Sequence, residues 1–156
     1  MAATRNENYI LIAEDNEADV YLAKLALRDH GLADEVRVLV DGEEAFAFID
    51  MLEAESGAPD VILMLLDLHL PKRDGLEVLR RLRAGRNGSR LPVVILTSSD
   101  SPYERAAVEG FEKVHFLRKP SSLEEYLALG AIAKDLIGCT ERNARVASVG
   151  TISTNP

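Results

Sequence analysis

Several residues able to do acid, hydroxyl or amine chemistry share one local context, the position at or just beyond the end of an apolar run. Glu14 and Asp15 follow YILIA (9–13), Asp67 follows VILMLL (61–66), Thr97 and Ser98 follow PVVIL (92–96), and Lys119 stands just past VHFL (114–117). Three carboxylates gathered in one place repel one another, an arrangement best tolerated when a cation holds them together. Oxygen-only donors suit a hard divalent ion, and few protein ligands with room for water select Mg2+ over Ca2+ or Zn2+. A carboxylate beside such an ion, facing a lysine ammonium and a hydroxyl donor, is suited to phosphoryl transfer. The cations neutralise charge on the moving group, and the carboxylate acts as nucleophile to give an aspartyl phosphate.

For these residues to meet, the runs that precede them must be strands of one sheet. YILIA, VILMLL and PVVIL are apolar at nearly every position, the pattern of central parallel strands covered on both faces. EVRVLV (35–40) alternates and belongs at an edge, and VHFL is the fifth strand. Between the runs, Ala45, Phe48, Ile49 and Leu52 fall on one helical face, as do Leu129, Ile132, Ala133 and Leu136. Asp41 with Glu44 reads as a capping box, and Ser121 or Ser122 can cap the last helix. Pro71 and Gly75 punctuate the loop after the third strand, and Gly88 with Pro92 bracket the entry to the fourth. Repeated βα units with short connections predict an α/β fold, a doubly wound five-stranded parallel sheet with right-handed crossovers. In such a sheet ligands bind outside the carboxyl ends of the strands, where strand order reverses. The polar residues singled out above fall at those ends.

The length, 156 residues, suits one domain, and 47% hydrophobic with 28% charged residues is an ordinary globular balance. A formal charge of −8 disfavours a nucleic-acid backbone as partner. No apolar run approaches the roughly 20 residues of a membrane helix, and no secretory leader is visible, so a cytoplasmic protein is expected. The single cysteine, Cys139, cannot form an internal disulfide. Clear periodicity ends near Gly138. Residues 8–138 are therefore read as the domain, and 139–156 as an extension outside the core in which Val146, Val149 and Ile152 could form an arm.

Four segments, AEDN (13–16), LLDLHLPKRDG (65–75), ILTSSD (95–100) and FLRKP (116–120), resemble response-regulator receiver domains, in the order and on the strand ends that family uses. The resemblance implies strand order 2-1-3-4-5. It assigns Asp67 as phosphoacceptor, Glu14 and Asp15 with Asp67 and the His69 backbone carbonyl as Mg2+ ligands, Thr97 and Lys119 as partners of the phosphoryl group, and Phe116 with Ser98 as switch residues. Plainer roles stand beside these: Glu14 and Asp15 as helix caps, Thr97 as a cap, Phe116 as a core aromatic. The side chains of His69, His30 and His115 are not expected to ligate metal. The fourth helix should end at Gly110, which shortens a customary output face. The style of the chain resembles single-domain regulators paired with bacterial phytochrome histidine kinases. It implies a protein that is not an enzyme beyond its own phosphoryl transfer and autodephosphorylation. A phosphorelay shuttle or phosphate sink, with a histidine phosphotransfer protein as partner, stays open. A metal-dependent phosphohydrolase of the aspartyl-phosphate type is disfavoured, because that chemistry wants an acid where His69 stands. A homodimer around the last helix, through Leu129, Ile132 and Leu136, is also expected.

Overall fold

Successive residues of a strand face opposite sides of a sheet, and in this chain both sides are apolar. The computed structural model describes residues 8–32, 35–54 and 60–149, with side chains as far as Cys139. In chain order the elements are β1 (Asn8–Ala13), α1 (Glu17–Asp29), β2 (Glu35–Leu39), α2 (Gly42–Ala54), β3 (Asp60–Asp67), α3 (Gly75–Ala84), β4 (Val93–Thr97), α4 (Pro102–Glu109), β5 (Val114–Arg118) and α5 (Leu123–Val149). The five strands are parallel in the order β2-β1-β3-β4-β5. Leu11, Met64, Leu66, Val93 and Ile95 face α2, α3 and α4, packing on Phe48, Ile49, Leu79 and Val108. Ile10, Ile12, Leu63, Leu65, Val94 and Leu96 face α1 and α5, packing on Ala26, Leu27, Tyr126 and Leu129. Each fully buried leucine on these faces contributes about 2 kcal/mol of burial free energy. The sheet is thus held as a rigid centre layer. β2 lies at one edge with its alternating pattern, as its sequence implies.

Register places the site. Ala13 at the end of β1 pairs with Leu66 of β3, and Leu96 of β4 pairs with Asp67. The residues just past those pairs, Glu14 and Thr97, therefore sit beside the end of β3, about 4.8 Å from strand to strand. Asp67 itself is the last residue of β3, one residue beyond the end the apolar run suggests. On the far side of β4, Thr97 pairs with Arg118, and the Lys119 N–H donates to the Thr97 carbonyl at 2.7 Å, which fixes where the lysine leaves the sheet.

Local signals hold the flanking helices. Asp41 Oδ1 accepts the Glu44 N–H at 2.8 Å while Glu44 reaches back to the Val40 N–H, so the capping box starts α2. Ser122 Oγ accepts the Glu125 N–H at 3.2 Å and Glu125 accepts from Ser121, which makes Ser122 the cap of α5. α4 has eight residues and ends at Gly110, the short helix expected. α5 departs from the sequence reading, for its backbone stays helical past Gly138 to Val149. The sequence hides the continuation because its apolar periodicity fades there, and that periodicity reports burial rather than helicity. Ile152 lies outside the described residues. A second correction concerns Leu129, which is buried against α1 and so unavailable for pairing between subunits. Among the described residues, no helix is long and apolar enough to cross a membrane.

The loop carrying the end of β3 into α3 closes against the strand. The Gly75 N–H donates to the Leu68 carbonyl at 2.8 Å, and a Cβ at Gly75 would stand 2.2 Å from the Asp67 carbonyl oxygen. Asp74 Oδ1 caps α3 by accepting the Glu77 N–H at 2.9 Å. Gly75→Ala should therefore destabilise the fold by about 1–3 kcal/mol through overpacking, and Asp74→Ala by about 1 kcal/mol through loss of the cap. Urea unfolding of both variants checks this, and a Gly75→Ala protein as stable as the parent would refute the close approach.

Candidate functional site

The carboxyl ends of β1 and β3 bring Glu14, Asp15 and Asp67 together. One oxygen from each lies within 4.8 Å of the others, the sole such cluster of His, Cys, Asp and Glu among the described residues. Glu14 and Asp67 are buried and Asp15 is exposed at the rim. Against them stands Lys119, whose Nζ lies 2.8 Å from Glu14 Oε2, 2.9 Å from Asp67 Oδ2 and 3.0 Å from Asp19 Oδ2. The second oxygens of Glu14 and Asp67 are held by backbone. The Asn16 N–H donates to Glu14 Oε1 at 3.0 Å and the His69 N–H donates to Asp67 Oδ1 at 2.9 Å. Both buried carboxylates are thus oriented at either oxygen.

Charge in this pit is unevenly settled. Burial pushes the Glu14 carboxyl up to about 7, against the opposing hydrogen bonds from Lys119 and the Asn16 N–H. Burial alone would lower the Lys119 ammonium, but hydrogen bonds to Glu14, Asp67 and Asp19 outweigh it and raise it above the ordinary lysine value. The lysine is a fixed cation at every working pH. Oxygen donors, a rim open to solvent and one neutralising lysine can accommodate a hard divalent ion and an entering anion.

The other singled-out residues are placed unevenly. Thr97 is fully buried at the end of β4, and its Oγ1 accepts the Ser99 N–H at 3.2 Å. Ser98 is exposed beside it. Phe116 lies half-buried on β5, and the Arg105 guanidinium of α4 sits over its ring, 4.9 Å from the centroid. The His69 imidazole is engaged by α4, its Nε2 2.9 Å from Glu104 Oε1.

Two residues that the strand-end pattern misses complete the constellation. Asp19, in the first turn of α1, shares Lys119, and the Tyr126 hydroxyl of α5 donates to its other oxygen, Oδ1, at 3.0 Å. An acid in a helix's first turn is so common that its type carries no signal.

Residues 10–129 match the family described as Response regulator receiver domain. The chain is 34% identical over 116 residues to Response regulator Rcp1 of Synechocystis sp., covering 74% of this chain and 79% of that protein. It is 37% identical over 119 residues, 76% of this chain, to the transcriptional regulatory protein TrcR of Mycobacterium tuberculosis, but spans only 42% of that longer relative. Among solved structures, it resembles the phosphorylated cyanobacterial phytochrome response regulator RcpA with a TM-score of 0.70 at 31% identity, covering 80% of this chain and 89% of that one. It resembles the Mn2+-bound form of Rcp1 with a TM-score of 0.68 at 33% identity, covering 78% and 88%.

The electrostatics yield two stability measurements, both in buffer containing EDTA. Lys119→Ala leaves Glu14 and Asp67 without their buried counter-charge and should lose about 1–3 kcal/mol at neutral pH. A Glu14→Gln variant tests the raised carboxyl. Between the ordinary value of 4.5 and about 7, folded Glu14 keeps a proton that the unfolded chain has released, so this group's stabilisation is complete below 4.5 and fades as pH rises through 7. Relative to the parent, Glu14→Gln should gain stability across that window and level off above it. A difference independent of pH would refute the assignment.

Proposed function

The chain belongs to the response regulator receiver domain family, and from that premise we propose that it is a phosphorylation switch whose Asp67 accepts a phosphoryl group from the phosphohistidine of a sensor histidine kinase. The observation that carries this reading is the Lys119 ammonium, 2.9 Å from Asp67 Oδ2 and 2.8 Å from Glu14 Oε2 in a buried acidic pit. An Asp67 oxygen forms the new P–O bond as the donor's P–N bond breaks. Mg2+ held by Glu14, Asp15, Asp67 and the His69 carbonyl would supply neutralisation of the phosphoryl oxygens. Lys119 pairs with one of those oxygens. Thr97 donates its hydroxyl to another, giving up a contact to the Ser99 N–H that at 3.2 Å is at the long end for a hydrogen bond.

The readout follows from what Thr97 and its neighbours touch. Drawing Thr97 toward the phosphoryl group frees space beside β5, into which Phe116 turns once the Arg105 guanidinium lets go of its ring. The altered surface of α4 and β5 is then what a partner protein reads. Likeness to RcpA, described as a phytochrome response regulator, supports a light-sensing phytochrome kinase as the phosphodonor. On this reading the protein works on the cytoplasmic side, as a signalling protein rather than a turnover enzyme.

With Mg2+ and acetyl phosphate, mass spectrometry should find a base-labile phosphoryl group on Asp67, and Asp67→Asn should abolish it. Labelling of the Asp67→Asn protein at the parental level would overturn the assignment. Asp15→Ala should weaken Mg2+ binding about tenfold or more, equivalent to at least about 1.4 kcal/mol, measured by calorimetry. Equal Mg2+ affinity would remove Asp15 from the ligand set.

A further inference from the structure

Three carboxylates share the Lys119 ammonium, and the reaction proposed above alters the surroundings of two of them. Asp67 receives the phosphoryl group, and Glu14 stands among the metal ligands. Asp19 does neither. It lies on α1, outside the acidic trio, with Oδ2 at 3.0 Å from Nζ. Its second oxygen is taken by the Tyr126 hydroxyl at 3.0 Å, so the carboxylate cannot rotate without losing a partly buried hydrogen bond. Tyr126 is 4% exposed, and burial, followed by its bond to Asp19, pushes the phenol up to about 12. It remains a neutral donor.

The two helices that carry this pair are packed without slack. Tyr126 and Gly130 are one turn apart on α5, and a Cβ at Gly130 would stand 2.5 Å from the Ala26 carbonyl on α1 and 2.3 Å from Nδ1 of His30, the residue that caps α1. Ala23, one turn after Asp19, is buried in the same interface. Helix backbones that approach so closely hold the Tyr126 hydroxyl and the Asp19 carboxylate in a fixed relation. A lysine has a flexible four-carbon stem whose freedom must be restrained, so an anchor that keeps its position while other partners change has a kinetic use.

We infer that Asp19, oriented by Tyr126, is a positioning residue for phosphoryl transfer that holds the Lys119 ammonium beside Asp67 while Glu14 and Asp67 change partners. This role rests on the assignment of Asp67 as phosphoacceptor. A merely structural Asp19 would act on the α1 dipole, changing stability slightly, and would leave the labelling rate and the lysine alone.

The experiment follows labelling of Asp67 by acetyl phosphate at saturating Mg2+, with the full chain. Asp19→Asn should lower the maximal rate about tenfold, which corresponds to about 1.4 kcal/mol of transition-state stabilisation. Tyr126→Phe should lower it less, and combining the two should add little, because both act on the same lysine. A second readout is nuclear magnetic resonance of the Lys119 ammonium group, whose signal should be resolved in the parent and lost to exchange with water in Asp19→Asn. Circular dichroism confirms that the variants are folded. Failure of the parent to be labelled on Asp67 overturns the phosphoacceptor assignment and this role with it. A labelled parent together with an undiminished rate and an unchanged lysine signal in Asp19→Asn overturns the Asp19 role alone.

Discussion

One ammonium group organises this molecule's functional end. Glu14, Asp19 and Asp67 converge within 3.0 Å of Lys119 Nζ, and without it two buried carboxylates would share a low-dielectric pit with nothing to offset them. The lysine does not neutralise the site fully, since Asp15 stands at the rim and Glu14 is still pushed toward neutrality by burial. A residual negative field of this kind suits a site that recruits a divalent cation. Its single lysine, held by carboxylates on two different strands' ends and on one helix, makes the site's charge balance a property of the whole sheet edge.

That convergence is possible because the sheet is packed on both faces. Pairing of Ala13 with Leu66 and of Leu96 with Asp67 is enforced by two separate apolar layers, and a slip of one residue would exchange the faces of an entire strand. The register is therefore set by hydrophobic area far larger than any interaction in the site. The core positions the acids and the lysine despite their mutual strain. Gly75 has the complementary task, allowing the chain that leaves β3 to fold back within contact of the Asp67 carbonyl.

What could be read in the sequence follows from the same hierarchy. Strands whose every residue is apolar announce both their burial and, by where the run stops, the sheet edge at which Glu14, Asp15, Asp67, Thr97 and Lys119 had to gather. The capping box at Asp41 was readable because its chemistry is local, and the cap of α5 was narrowed to Ser121 or Ser122, of which the structure uses Ser122. Asp19 and Tyr126 were not readable, since one looks like any acid in a first helical turn and the other like any aromatic on an amphipathic helix. Their meeting depends on the α1 and α5 crossing, which Gly130 permits and no local pattern encodes. The length of α5 was hidden for a different reason. Apolar periodicity reports burial rather than helicity, and beyond Gly138 the backbone stays helical while the apolar spacing fades. Leu129 shows the reverse error, a single residue offered to a partner subunit when it is already buried in the layer that includes α1.

The two sides of the site are held in different ways, and this bears on where a change in it can be felt. On the α1 and α5 side, Asp19 and Tyr126 sit at the head of a tightly packed helix pair, where a shift would disturb the buried layer around Ala23, Ala26 and Leu129. On the α4 side, adjacent residues make exposed or half-buried contacts: Glu104 to His69 in the loop after β3, and Arg105 to the ring of Phe116 on β5. α4 has eight residues and buries only Val108 fully. Surface ion pairs and exposed cation–π contacts are each worth about 1 kcal/mol or less, whereas rearranging the packed helix pair would expose several apolar side chains. A perturbation at Asp67 therefore meets a stiff wall on one side and a lightly fastened helix on the other. Movement goes to α4, while the α1 and α5 wall keeps Lys119 in place.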